Sequence, residues 1–228
     1  MRSDKINACL LAALLPAAAG CQSMSWPNFW PFPERELTTY HTPSMRVEAL
    51  EEFALRSTGV DSPEQRQITD QLARQIQVEP DPLVRQAVVH AIAEFRTPMV
   101  QQVLEAGLAD GDKGVRVACC NELGRLAEPA SVASLANSLG NDEHIDVRLA
   151  AAEALGKIKS PDAVRALSVA LDDRDPALQY VGVQSMKSIT GEDYGPDVEA
   201  WRQVAAGETP PPAKRPTVAE RLRRAAPF

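Results

Sequence analysis

The chain has 228 residues, 44% of them hydrophobic and only 5% aromatic, with 24 Lys+Arg against 31 Asp+Glu and a formal net charge of −7. An acidic body argues against nucleic acid as the main partner, because phosphate recognition needs a basic footprint. The four cysteines, Cys9, Cys21, Cys119 and Cys120, show neither zinc-ligand nor framework spacing, which excludes a structural zinc site and a disulfide scaffold.

Residues 1–20 read as a targeting segment: Arg2 and Lys5 precede an apolar run from Ala8 to Ala19, which is too short for a permanent membrane span. Ala18-Ala19-Gly20-Cys21 resembles the bacterial lipobox, with Ala18 where a leucine is usual. The resemblance implies cleavage before Cys21 and acylation of that cysteine (palmitate is an expected chain), and two or more acyl chains hold a protein at a membrane where one does not. Gln22 after the cysteine resembles lipoproteins sent on to an outer membrane. The alternative is an ordinary signal peptide cut near the alanine stretch. Removing residues 1–20 takes away Arg2, Lys5 and Asp4, leaving 22 basic against 30 acidic residues, or −8.

Residues 21–41 read as a tether. Trp26, Phe29, Trp30 and Phe32 stand among prolines with no helical or strand period, and dense proline favours extended chain. These aromatics suit either the headgroup region of a membrane or the end of the following domain.

From residue 42 to 206 the chain repeats itself. Four copies, Asp81–Phe95, Asp112–Leu126, His144–Ile158 and Asp175–Ile189, align on Arg85, Arg116, Arg148 and Gln179 at spacings of 31, 32 and 31 residues. A longer first copy carries Arg46, so the repeats fall at about 42–80, 81–111, 112–143, 144–174 and 175–206. Apolar columns such as Val84/Val115/Val147/Leu178 and Ile92/Leu123/Leu155/Met186 trace one face of a helix. Pro98, Pro129 and Pro161 then open a second helix, because proline is tolerated in the first turn. Thr97 and Ser160 stand before two of them as N-cap oxygens. The extra residue of the 32-residue step falls within Gly140–Asp146. A period of this length predicts an all-α solenoid of about five helix–turn–helix units, each needing its neighbours to bury its apolar face.

The pattern D-P-x-V-R-x-A-x-x-x-A-L-G-x-I, matched most closely by residues 144–158, resembles the HEAT repeat in the short bacterial form also found in phycobilin lyase-like proteins. The resemblance implies that the second helices line the concave side, and that the arginine row Arg46, Arg85, Arg116 and Arg148 bridges neighbouring repeats together with acids such as Asp81, Asp112 and Asp175. Fold-level likeness alone assigns no activity.

Asp197–Ala206 reads as a last helix with Trp201 capping the array, and 207–228 as a proline-rich tail with five Lys/Arg against one Glu from Ala213 onward. Cys119 falls in a core column and Cys120 outside it. The acidic turns (Asp110, Asp142, Asp172 and neighbours) read as solvated loops, since none has the spacing of a calcium loop.

Catalysis has little to stand on. None of His41, His90 and His144 is followed by glutamate, as the paired metal motifs of HEAT-fold hydroxylases would require, and there is no phosphate loop or nucleophile elbow. The sequence therefore predicts no enzyme and no cofactor. It predicts an envelope-anchored scaffold held at a membrane, the outer one favoured, through lipidated Cys21. A protein partner would dock on second-helix positions Gln102, Glu105, Asn137, Arg165 and Ser168. The alternative is a solenoid enzyme or small-ligand binder, lyase-like, with the lipid only fixing its place.

Overall fold

Seven of the eleven α-helices among the described residues begin where a side-chain oxygen replaces a missing backbone partner. Thr42, Ser62 and Ser160 accept from the N–H three residues on, while Asp81, Asp175 and Asp197 accept from the N–H two residues on. Asp112 takes two such bonds, from Gly114 and Val115. In the computed structural model, which describes residues 42–55 and 57–211, these starts define five helix pairs. They are α1 (Pro43–Ala54) with α2 (Pro63–Val78), α3 (Pro82–Ala93) with α4 (Pro98–Gly107), and α5 (Lys113–Leu126) with α6 (Val132–Asn141). Then come α7 (Ile145–Lys157) with α8 (Pro161–Ala166) and α9 (Ser168–Leu171), and α10 (Pro176–Thr190) with α11 (Val198–Ala205). The chain is an α-solenoid, with no strand among the described residues. The segment 1–20, Cys21, Gln22, the tether at 21–41 and the tail from residue 212 lie outside the described residues.

Two layers result. The first helices α1, α3, α5, α7 and α10 stack in succession, and the second helices cover one side of that stack. Val84, Val115, Val147 and Leu178 are buried between the layers, as are Ile92, Leu123, Leu155 and Met186. The rings of Phe53 and Phe95, 6.2 Å apart, carry the core across the first pair boundary. At the other end Trp201 is fully buried, donates from Nε1 to Gly195 O at 2.9 Å and packs edge-on against Tyr194.

The sequence reading needs two corrections of detail. Thr97 occupies the N-cap of α4 but makes no capping bond; its hydroxyl lies 2.9 Å from that of Thr69 in α2, joining two second helices. Cys120, placed outside the core, is as buried as Cys119. It belongs to a second buried stripe, Val89/Cys120/Ala152, on the side where Gly124 and Gly156 meet the next first helix; on α10 the matching residue is Val183.

Glycines set how closely the first helices approach. A Cβ on Gly124 would stand 2.7 Å from Ala154 Cα, and one on Gly156 2.9 Å from Ser185 Cα. These are backbone approaches that no larger side chain permits.

Candidate functional site

One edge of the array, at the turns that lead into the first helices, is occupied by a repeated clamp. Arg46 Nη1 donates to Glu79 Oε2 at 2.7 Å. Arg85 grips Asp110 through Nε and Nη2, both at 2.8 Å, and Arg116 grips Asp142 in the same two-pronged way at 2.7 and 3.0 Å. Each acid belongs to the turn before the next first helix. Each also orders that turn, accepting from the backbone N–H two residues on: Asp81, Asp112, His144 and Asp175 donate to Glu79, Asp110, Asp142 and Asp173 respectively. The ladder residue of the next pair closes the motif from the other side. Arg85, Arg116, Arg148 and Gln179 donate to the carbonyl oxygens of Glu79, Asp110, Asp142 and Asp173, always six residues back.

The acids beside the arginines in sequence, Asp81, Asp112 and Asp175, cap helices. The bridging acids lie two residues earlier, and their signal in the sequence is the constant six-residue offset. The extra residue of the third repeat is absorbed at the end of α6, before Asp142, so that offset survives.

Electrostatics follow from the geometry. Burial alone would raise Asp110, but hydrogen bonds from Arg85 and the Asp112 N–H outweigh it and hold the carboxyl below its ordinary range. Asp142 is held down in the same way by Arg116 and the His144 N–H, again against burial. The ladder weakens towards α10. Arg148 Nη2 is 3.8 Å from Asp173, its Nε has no hydrogen-bond partner, and the next ladder position is Gln179. Burial pushes the Cys120 thiol up to about 12 and Cys119 up as well, so neither is a ready nucleophile.

The five second-helix positions lie on three successive helical rods. Gln102 and Glu105 are on α4, Asn137 is on α6, Arg165 is on α8, and Ser168 follows on α9. Gln102, Asn137 and Arg165 are exposed and the other two half-buried. Four are tied within their own rods: Gln101 to Glu105, Asn141 to Asn137, Arg165 to Asp162, and the Ser168 hydroxyl to Arg165 O. They are a row of polar groups on successive second helices, four of the five satisfied close to their own position in the chain. Val169, 44% exposed beside Gly140, adds an apolar contact to the row, and sequence reading had not included it.

Beyond this row lies a groove of about 450 Å³ between the start of α8 and the ends of α10 and α11. Lys159, Val164, Arg165, Ile189, Thr190 and Val204 are among its lining residues. Among the described residues no cluster of three His, Cys, Asp or Glu side chains is placed to hold a metal ion.

A family model of HEAT repeats matches residues 69–155, 102–187 and 135–206. No curated protein sequence matches the chain significantly. Among solved structures, human deoxyhypusine hydroxylase in complex with glycerol is 27% identical over 54% of this chain, with a TM-score of 0.51, and the match spans 44% of the hydroxylase. The complex of CpcE and CpcF of phycocyanin lyase from Nostoc sp. PCC7120 is 19% identical, covering 87% of this chain and 80% of that one, with a TM-score of 0.52. At that identity the likeness is one of fold.

Proposed function

The chain belongs to the HEAT-repeat family, and from that premise we propose that it is a non-enzymatic scaffold of the cell envelope, anchored through acylated Cys21 and presenting its second helices to a protein partner. The observation that carries this reading is the division of labour between the layers. The first helices spend their arginines on clamps to the neighbouring repeat, while the second helices leave Gln102, Asn137, Arg165 and Val169 exposed along a rigid row. Small polar groups around an occasional apolar side chain suit a protein surface, and the fixed spacing of the repeats gives specificity without a deep pocket.

The groove beside Arg165 supports a second reading, a binder of a small anionic ligand or a lyase-like enzyme, since Lys159 and Arg165 flank an apolar floor.

Photocrosslinking in cells, combined with fractionation, separates the two. A photoreactive side chain at Gln102 or Asn137 captures one dominant membrane-associated protein, one at Glu153 on the first layer does not, and Cys21→Ser abolishes both capture and acyl labelling. Equal capture from both layers, or unchanged membrane association of Cys21→Ser, overturns the scaffold reading.

A further inference from the structure

Every interior first helix is covered on its forward side by the next one. Counting from the ladder position, that side comprises the residues one, four and eight places on, with the fifth (His90, Asn121, Glu153) at its exposed margin. Val89, Cys120 and Ala152 at the fourth place, and Ala93, Gly124 and Gly156 at the eighth, are all buried. On α10 the same side is Tyr180, Val183 and Lys187, with Gln184 at its margin; Val183 is buried and Lys187 half-buried, and no further first helix follows among the described residues. Tyr180 is 65% exposed. Together with the turn carrying Asp193 and with Val198 at the start of α11, this side walls a groove of about 400 Å³. The groove is the seat of a first helix.

We infer that residues 216–226 of this same chain fill it as a further first helix. The segment repeats the register of a first helix. Pro216 stands where Pro82 and Pro176 open α3 and α10, and Val218 stands with Val84 and Leu178. Leu222 takes the place of Val88, and Ala225 and Ala226 those of Ala91 and Ile92. From Pro176 to Pro216 is 40 residues, close to the 39 between Pro43 and Pro82 across the long first repeat.

Pro210 is buried, so the chain is still held against the array just before the segment. The five steps from Pro211 to Pro216 reach about 17 Å when extended, more than the 8–10 Å between packed helices. Eleven residues make a marginal helix alone, so this one forms only against a surface. Its ladder position is Ala219, so this helix makes no arginine clamp of its own. It departs from the pattern at Arg221, where inner copies carry alanine; Asp193 on the rim of the groove, which accepts from Lys187 Nζ at 2.5 Å, is a carboxylate the two basic side chains would share. Arg223 and Arg224 make the opposite face polar.

The inner register sets the test. Gly124 meets Ala154, and Gly156 meets Ser185, always eighth place to sixth, so Lys187 should meet Ala225. Full-length protein carrying Lys187→Cys with Ala225→Cys forms an intramolecular disulfide on mild oxidation, whereas Lys187→Cys with Arg223→Cys does not. Hydrogen exchange in 216–226 is slowed by about tenfold or more, and Leu222→Asp abolishes that protection while leaving α3 to α7 unchanged. A 187–225 link that forms only between two chains, equal linking by both pairs, or rapid exchange in 216–226 overturns the inference.

Discussion

The two layers of this solenoid are built by different rules. In the first layer, contacts recur in register: a glycine or alanine lets the next backbone in, and an arginine reaches over to the following turn. In the second layer little recurs beyond the buried leucines Leu104, Leu135 and Leu167. There α4 is one rod, α6 starts with a 3-10 turn at Pro129–Ser131, and the fourth copy breaks at Leu167 into α8 and α9. The first layer therefore fixes the spacing of the array, and the second is free to vary because its outer face is not required for stacking. Selection for a partner can act on one layer without unmaking the other.

The comparison is broken most directly at the buried clamp. Arg116 is only 7% exposed, and its removal leaves the Asp142 carboxylate without its main partner in a nearly closed site. Arg116→Ala should cost about 3 kcal/mol, the range for orphaning one member of a buried ion pair. Arg148→Ala supplies the internal control. Its ion pair with Asp173 is one long contact, of the kind usually worth about 0–1 kcal/mol, while its bond to the carbonyl six residues back is one that Arg116 also makes. Urea denaturation of both variants checks the pair, and equal losses would mean that clamp geometry does not set the stability of the edge.

A matched pair of glycine substitutions sharpens the difference between layers. In Gly124→Ala the new methyl meets the Ala154 backbone, and the gain in helix propensity does not offset the push. A net loss of about 1–2 kcal/mol is expected. In Gly140→Ala, on the second layer, the methyl meets only Val169 Cγ1 at 3.6 Å, an ordinary contact, and stability should rise by up to about 0.5–1 kcal/mol. Melting temperatures moving in opposite directions confirm the rule; a shared direction refutes it.

The sequence made the first layer legible because its constraints are periodic: the apolar columns and the ladder recur at 31 or 32 residues, and the prolines at the same spacing mark where each second helix begins. What escaped was any feature whose partner lies in another repeat. A single helical period reports one buried face, yet α5 and α7 have two, so Cys120 looked external. The clamp acids looked like solvated turn residues because nothing local marks Asp142 as a partner of an arginine 26 positions earlier. Of the second-layer positions that the columns point outward, Gln102, Asn137 and Arg165 are exposed and Glu105 and Ser168 half-buried. The apolar member of that row, Val169, was missed, since on a helix broken at Leu167 the outward direction does not follow from extending the columns.

The smallest effect tests whether cohesion of the first layer responds to pH. His90 on α3 lies 2.8 Å from Glu122 on α5, and that hydrogen bond raises the histidine pKa against a smaller desolvation effect. Burial would raise Glu122, but His90 and Arg125 together hold it down. The two signs define a window. The stability supplied by His90 is fully present below its unfolded value of about 6.5 and is lost as pH rises through the higher folded value. The part supplied by Glu122 is present above about 4.3 and is lost as pH falls through its lowered folded value. Because His90 is more than half exposed, water screens the pair and the effect should stay at a few tenths of a kcal/mol. His90→Gln should therefore lower the urea midpoint slightly at pH 5.5 and hardly at all at pH 8.5. A deficit that is constant with pH would make His90 a packing residue, leaving the clamps and glycines to hold the first layer at every pH.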